Sequence, residues 1–94
     1  MKRNVLIPAD LFEGRYKMMS SHAKLLYGLL LIESSESFFV DEDGKRYIEF
    51  SRRQIKEALN VANDKAREIL NELEEADLIK REAVTGKNAR IYIS

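Results

Sequence analysis

The densest apolar stretch of the chain, Leu25–Ile32, predicts a central helix. Ser20 and Ser21 supply its N-cap, and the helix is expected to run to about Ser34. Two apolar stripes run along it: Ala23, Leu26, Tyr27 and Leu30 form the first, and Leu25, Leu29 and Ile32 form the second. Because a helix that is apolar nearly all round lies within a core, we expect this helix at the centre of the fold.

Alternating apolar residues bounded by turn residues predict two β-hairpins. In the first, strands at 38–40 and 47–50 flank an acidic turn. In the second, strands at 78–84 and 89–93 flank a tip at 85–88. The segment between the hairpins has the spacing of helices rather than strands.

A short helix is predicted directly after the first hairpin. Ser51 and Gln54 have the spacing of a capping box, which begins a helix. Asn60 suits a helix end, so this helix is expected to stop at about Leu59. Its buried side is predicted to contain Ile55, Ala58 and Leu59.

A longer helix follows after the connector Val61-Ala62. Asn63 is predicted to be its N-cap, and the helix is expected to run to about Ala76. Apolar residues recur along one of its faces at positions 66, 69, 70, 73 and 76. A short and a longer helix joined by about three residues form a helix-turn-helix, and a hairpin directly after them makes it winged.

The N-terminal segment, residues 1–19, is predicted to form an extended arm with one short turn near residues 9–13, because Pro8 disfavours a helix there. Its apolar residues are expected to pack across a two-fold partner or over the central helix. The chain is therefore predicted to be a single α+β, mainly helical domain: a winged helix-turn-helix with a three-helix core and a C-terminal β-hairpin wing. The helix-turn-helix occupies 51–76 and the wing 78–94.

Length and composition fit a small globular domain. The chain has 94 residues, of which 45% are hydrophobic and 34% charged, and this length allows one domain. It contains no cysteine, which excludes a disulfide framework and a thiolate zinc site. No apolar run approaches the roughly 20 residues of a membrane span, and the stretch before Pro8 is too short for a signal peptide. We therefore expect a cytoplasmic protein with no membrane partner.

The net charge of zero conceals charged blocks of opposite sign. Residues 51–71 hold five basic and three acidic residues, and residues 78–94 hold four basic and one acidic. Residues 72–77, by contrast, hold four acidic residues. A fold that gathers the two basic blocks on one face would attract phosphate, because the local field rather than the total charge decides that affinity.

Cations are concentrated at the starts of the two helices of the helix-turn-helix. Arg52 and Arg53 begin the first, and Lys65 and Arg67 lie in the first turns of the second. Because a helix N-terminus carries a partial positive charge, each cation there costs roughly 0.3–1 kcal/mol. A bound phosphate would reverse the sign of this cost. The pattern therefore favours DNA binding over a merely solvated charged face, with the acids of 72–77 pointing away from the duplex.

In this geometry the second helix lies in the major groove of double-stranded DNA, the predicted partner. The candidate contacts from this helix are Asn63, Lys65, Arg67 and Asn71. The candidate phosphate contacts from the preceding helix are Ser51, Arg52, Arg53 and Gln54, and the candidates at the wing tip are Lys87, Asn88 and Arg90. Arginine can read guanine, and asparagine adenine, through paired hydrogen bonds. Structural alternatives stay open: Asn63 as only a cap, Asn71 as only solvated, and residues 86–88 as only a turn.

No catalytic or metal site is predicted. His22, the only histidine, begins the central helix, where a surface or capping role suits it. The acidic run Asp41–Asp43 lacks the spacing of a calcium loop, because Phe39 stands where the first ligand would be. We therefore expect a protein that is not an enzyme and needs no cofactor.

Several stretches, spread over nearly the whole chain, match the pattern of one family. They are Ile7–Pro8 with Leu11–Phe12, Ser21 with Ala23–Leu30, Asp41–Tyr47, Leu70–Glu74, Leu78–Ile79 and Arg90–Tyr92. In these the chain resembles the N-terminal domain of plasmid replication initiator A proteins of Gram-positive bacteria. It departs from the family pattern at Phe38-Phe39, where Trp is common, at Asp77, where Gly is common, and at Lys87-Asn88, where Pro is common.

The resemblance implies a winged helix that binds repeated, iteron-type sites in a plasmid replication origin, usually as a homodimer. It implies that replication is initiated by binding and assembly rather than by catalysis. It also implies a second, C-terminal domain in the full initiator, through which host replication proteins would be contacted. Two other functions stay open: a small winged-helix repressor acting at an operator, and a protein–protein interaction module without DNA binding. The sequence also leaves open whether the chain is an excised domain or a stand-alone protein.

Overall fold

The computed structural model describes residues 8–93. Its helices are α1 (Ser21–Glu36), α2 (Arg52–Leu59) and α3 (Asn63–Glu75), and its strands are β1 (Phe39–Val40), β2 (Arg46–Glu49), β3 (Ile79–Glu82) and β4 (Arg90–Ile93). The strands form an antiparallel sheet in the order β1-β2-β4-β3. This described part therefore has the predicted α+β fold, with α1 and α3 packed against the sheet, α2 packed on those two helices, and β3–β4 as the wing. No helix within it is long and apolar enough to span a bilayer.

The centre of α1 lies in the core, as the apolar pattern predicts. Ala23, Leu26 and Leu30 have no exposed surface, and α1 contacts α2, α3 and the sheet. The second stripe differs from the prediction, because Leu25 is 39% exposed and Leu29 is half-buried. The other two helices and the sheet thus cover one side of α1 and leave the opposite side at the surface.

A hydrogen-bonded pair joins the start of α1 to α3. The hydroxyl of Ser20 caps α1 by accepting from the backbone N–H of Ala23 at 3.1 Å. The carboxylate of Glu72 in α3 accepts from the Ser20 backbone N–H at 2.6 Å and from the Ser20 hydroxyl at 2.8 Å. A carboxylate beside a helix N-terminus is also favoured by the helix dipole. Glu72 therefore ties α3 to α1 at one point of direct polar contact.

Replacing Glu72 by alanine should lower the free energy of unfolding by about 1.5–3 kcal/mol, because two partly buried hydrogen bonds to a charged group are lost. Denaturant titration measures the change. The control is Glu75→Ala, at an exposed position of the same helix, which should stay within about 0.5 kcal/mol of the wild type. Equal losses in the two variants would show that the contact with Ser20 does not stabilise the fold.

The ends of α2 follow the prediction, whereas the start of α3 does not. The Ser51 hydroxyl accepts from the Gln54 N–H at 3.1 Å, and the Gln54 side chain accepts from the Ser51 N–H at 2.8 Å, which completes the capping box. Asn60 ends α2 in the left-handed region, with φ 54°. The N-cap of α3 is Ala62, which has no polar side chain, and Asn63, predicted as the cap, is the first helical residue instead.

Burial along α2 is narrower than predicted. Ile55 and Leu59 are buried, but Ala58 is exposed. Because α2 has eight residues, about two turns, one i, i+4 pair fills its contact with the core and Ala58 lies on the flank. In α3 the predicted face is buried at positions 66, 69, 70 and 73, and Ala76 follows the helix as a half-buried C-cap.

The sheet packs one side against the helices and connects to α3 through a strained turn. Ile48, Ile79 and Ile91 of three neighbouring strands are buried on that side. The wing strands are shorter than predicted, and β3 ends at Glu82. Asp77, where α3 turns into β3, has φ 59°, a conformation that glycine adopts at lower cost. Glycine suits this position for that reason.

Residues 8–19 form the short turn predicted near residues 9–13 but are otherwise less extended than the predicted arm. They contain two short 3₁₀ helices, Ala9–Phe12 and Gly14–Tyr16. Leu11 is 2% exposed, and Met19 packs against the same core. This segment therefore contributes apolar side chains to the chain's own core, and packing across a two-fold partner stays a prediction. The predictions for residues 1–7 lie outside the described residues.

Candidate nucleic-acid interface

A surface concavity lies between the start of α2 and the wing. It is lined by Ser51 and Arg52 of α2, by Arg81 of β3, and by Lys87 and Asn88 of the β3–β4 loop, among others. None of the lining residues in the described part of the chain is acidic. The fold thus brings together two groups of candidate DNA contacts that are far apart in the sequence, and we call this site the α2–wing concavity.

The start of α2 leaves backbone donors unpaired beside the concavity. The capping box satisfies the N–H of Gln54, so the N–H groups of Arg52 and Arg53 have no partner within the helix. A helix N-terminus of this kind attracts anions. Ser51 and Gln54, both candidate phosphate contacts, use their side chains for the cap. Arg52 is exposed and makes no ion pair with another described residue.

The other cations at the starts of α2 and α3 each have an acidic neighbour on the same helix. Lys65 lies 3.7 Å from Glu68, Arg67 lies 3.6 Å from Asp64, and Arg53 lies 3.2 Å from Glu57. These side chains are between 44% and 87% exposed, and exposed pairs contribute at most about 1 kcal/mol. The pairs therefore offset part of the cost of placing cations there and still leave the cations available to a ligand. Asn63 is exposed beside them.

Asn71 takes part in a contact that the sequence pattern did not predict. The guanidinium of Arg81 donates to Asn71 Oδ1 at 2.7 Å, and two of its nitrogens contact the carboxylate of Glu74. Strand alternation in the sequence could have indicated this contact, because it places Arg81 on the same side of β3 as buried Ile79. Contrary to the expectation that all acids of 72–77 point away from the DNA face, Glu74 binds a residue that lines the α2–wing concavity.

The sequence pattern predicts Arg90 at the wing tip, but in the structure Arg90 lies away from it. It begins β4, opposite Glu82 of β3 and Glu49 of β2. Its guanidinium lies 4.6 Å from the centre of the Tyr47 ring and 3.4 Å from the carboxylate of Glu42. Arg90 therefore packs over the sheet near the β1–β2 turn, while Lys87 and Asn88 line the concavity.

The acidic β1–β2 turn is held by hydrogen bonds to its own carboxylates. Asp41 Oδ1 accepts from the N–H of Lys45 at 2.8 Å and of Asp43 at 2.9 Å, and the bond from Lys45 is the main cause that lowers the pKa of Asp41. A backbone hydrogen bond within Glu42, followed by the bond from Arg90, lowers the pKa of Glu42. Turn chemistry therefore accounts for this acidic run. Within residues 8–93, no cluster of histidine and carboxylate side chains could hold a metal ion.

The three helices, the antiparallel sheet and the basic concavity beside the wing define a winged-helix domain. Solved structures share its fold. One described as the N-terminal domain of a DNA-binding protein and one described as a Rep–DNA complex are each 27% identical to this chain, with a TM-score of 0.81, and each match covers 99% of this chain and 75% of the other. One described as an MDR initiator is 26% identical, with a TM-score of 0.81, and covers 99% and 77%.

The chain belongs to the family of replication initiator protein A (RepA) N-terminal domains, whose sequence model matches residues 4–94. This match confirms the resemblance to this family that the sequence stretches indicate. No curated protein sequence matches the chain significantly.

Proposed function

We propose that this chain binds double-stranded DNA in a sequence-specific manner, with α3 in the major groove and the wing against the adjacent backbone. The observation that supports this most is the α2–wing concavity, where Arg52, Lys87 and Asn88 come together beside Leu70 of α3. Membership of the initiator family, and similarity to a structure described as a Rep–DNA complex, support the same function. The neutral net charge does not oppose it, because phosphate affinity depends on the local charge, and Arg52, Arg81 and Lys87 line the concavity.

Phosphate contacts and base contacts are proposed for different residues. Phosphates would bind at the free N–H groups of α2, with Arg52 and Arg53, and at Lys87 and Asn88 of the wing, and would fix the position of the domain on the duplex. Base edges would meet the exposed side of α3, chiefly through Lys65, Arg67 and Asn71, with Asn63 at its start. This division makes separate predictions for affinity and for specificity.

The proposed target is a set of repeated sites in a plasmid replication origin, and the proposed action is initiation by binding and assembly rather than by catalysis. Family membership supports the origin as the target. The only histidine, His22, is exposed in the first turn of α1, and the proposal gives it no chemical role. We propose a homodimer on adjacent repeats, which matches the commonest symmetry of protein oligomers, and contact with host replication proteins through a further domain.

Selection from a library of randomised duplexes tests the sequence-specific part of this function. The protein should enrich one sequence motif, and that motif should recur in the replication origin that adjoins its gene. Enrichment of a motif found only at a promoter would support a repressor instead. A folded protein that recovers no duplex above background would contradict DNA binding altogether. Sedimentation of the complex with one repeat and with two repeats distinguishes a monomer from a dimer.

Arg52→Ala should weaken binding to every duplex alike, because a phosphate contact carries no sequence information. The slope of log affinity against log salt concentration should become shallower by about one unit. The control is Lys56→Ala, which removes an exposed cation from the last turn of the same helix. A full salt slope in Arg52→Ala, or an equal change in Lys56→Ala, would contradict the placement of phosphate in the concavity.

A further inference from the structure

Three side chains link α3 to the first strand of the wing. Arg81 of β3 donates from Nε to Glu74 Oε1 and from Nη2 to Asn71 Oδ1 at 2.7 Å, and its Nη2 also forms an ion pair with Glu74 Oε1. The side chain of Arg81 is 24% exposed and that of Glu74 is 35% exposed, so the cluster is partly shielded from solvent. Asn71 itself is exposed on α3. A residue of the wing thus determines how a side chain on the proposed reading helix is oriented.

The chemistry of the contact determines which end of the Asn71 amide faces Arg81. A guanidinium has only donors, so the atom that it contacts must be the carbonyl oxygen of Asn71. A flipped amide would place its NH₂ group against the donors of Arg81. The NH₂ group is therefore kept free, and Asn71 is held as a hydrogen-bond donor.

The charge of Arg81 is already neutralised within the cluster. Glu74 contacts two nitrogens of its guanidinium, whereas Arg52 and Lys87 line the same concavity and make no ion pair with another described residue. Hydrogen bonds between a guanidinium and a carboxylate are roughly twice as strong as those between neutral groups. The observations thus favour a geometric role for Arg81 over a phosphate contact.

We propose that Arg81 is a positioning residue for specificity: it holds Asn71 with its NH₂ group toward a base edge in the major groove. This inference rests on the proposed function. The base at that position would present an acceptor, which is N7 of a purine, O6 of guanine or O4 of thymine. The wing therefore contributes to base recognition through α3 in addition to its own contact with the backbone.

Asn71→Asp is the sharpest test, because it keeps an oxygen for Arg81 and removes the donor. The probe is the duplex that the wild-type protein enriches from a randomised library, together with its single-base-pair variants. Affinity for the enriched duplex should fall about tenfold or more, and the preference at one base pair should disappear. Affinity for a scrambled duplex should change much less. Unchanged preference at every base pair would overturn the inference and the base contact proposed for Asn71, while sequence-specific DNA binding by the chain would stand.

Arg81→Met with Glu74→Met tests the positioning role without a change in net charge. Replacing a shielded ion pair by apolar residues of similar size is often neutral for stability, and thermal unfolding checks this. Preference should relax at the base pair that Asn71→Asp identifies, with an unchanged salt slope. Adding Asn71→Asp to this variant should weaken binding no further than Asn71→Asp alone. The control is Lys80→Met with Glu82→Met, the same exchange at the exposed positions of β3.

The outcomes separate the two proposals. Full preference at that base pair in the Arg81→Met, Glu74→Met variant would overturn the role of Arg81. If that variant does not fold, Arg81→Lys takes its place, because lysine keeps the charge and loses the planar guanidinium geometry; full preference at that base pair would again overturn the role of Arg81. A wild-type protein that enriches no duplex would overturn both this inference and the proposed function.

Discussion

Leu73→Ala should lower the free energy of unfolding by about 2–5 kcal/mol, the largest change expected for a single substitution in this chain. Leu73 has no exposed surface and lies on the face of α3 that packs on α1 and α2. Truncation there loses apolar contact and leaves a cavity that rigid neighbours on two helices cannot close. Urea or guanidinium titration gives the free energy directly.

The matched control for this change is Leu25→Ala, the same truncation on the surface side of α1. Leu25 is 39% exposed, so its loss should cost well under about 1.5 kcal/mol. Similar costs at both positions would mean that the buried face of α3 is wrongly assigned. The comparison therefore tests which face of the helix-turn-helix is left for DNA.

Arg67→Ala should weaken binding to the preferred duplex by roughly 1–3 kcal/mol and relax the preference at one or two base pairs. The side chain of Arg67 is 58% exposed, and its pair with Asp64 at 3.6 Å is weak enough to be exchanged for a base contact. Binding to a scrambled duplex should change far less, because the residue is proposed to read sequence. Fluorescence anisotropy with both duplexes measures the two effects together.

Two control variants test whether the effect of Arg67→Ala comes from the loss of Arg67 itself. Asp64→Ala removes its partner and should leave the preference intact. Lys80→Ala removes an exposed cation outside the α2–wing concavity and should change binding to neither duplex. Equal losses on preferred and scrambled DNA in Arg67→Ala would assign this residue to a phosphate instead of a base.

The elements that depend on local pattern could be predicted from the sequence. The period of the apolar residues defines α1 and the buried face of α3, and the Ser51–Gln54 spacing predicts a capping box that forms. Each of these features depends on residues that are close together in the sequence. The misplaced cap at Asn63 is local too, but its competitor, Ala62, has no side chain that could have signalled it.

The contacts that depend on the assembled fold could not be predicted in the same way. Arg81 meets Asn71 and Glu74 only because α3 turns into β3 at Asp77 and the strand alternation points Arg81 back at the helix. The sequence pattern groups Arg90 with Lys87 and Asn88 at the wing tip, but the pairing of β4 with both β2 and β3 puts it over Tyr47 instead. The distribution of charged residues along the sequence predicts neither the contacts of Arg81 nor those of Arg90.

The most direct test of the central claim is fluorescence anisotropy of wild-type protein with two labelled duplexes at two salt concentrations. One duplex carries the repeats of the replication origin that adjoins the gene, and the other is a scrambled sequence of the same composition. We predict tight binding that weakens steeply with salt and favours the origin duplex, by roughly a thousandfold at physiological salt. A folded protein that binds neither duplex, or binds both equally, would contradict the account.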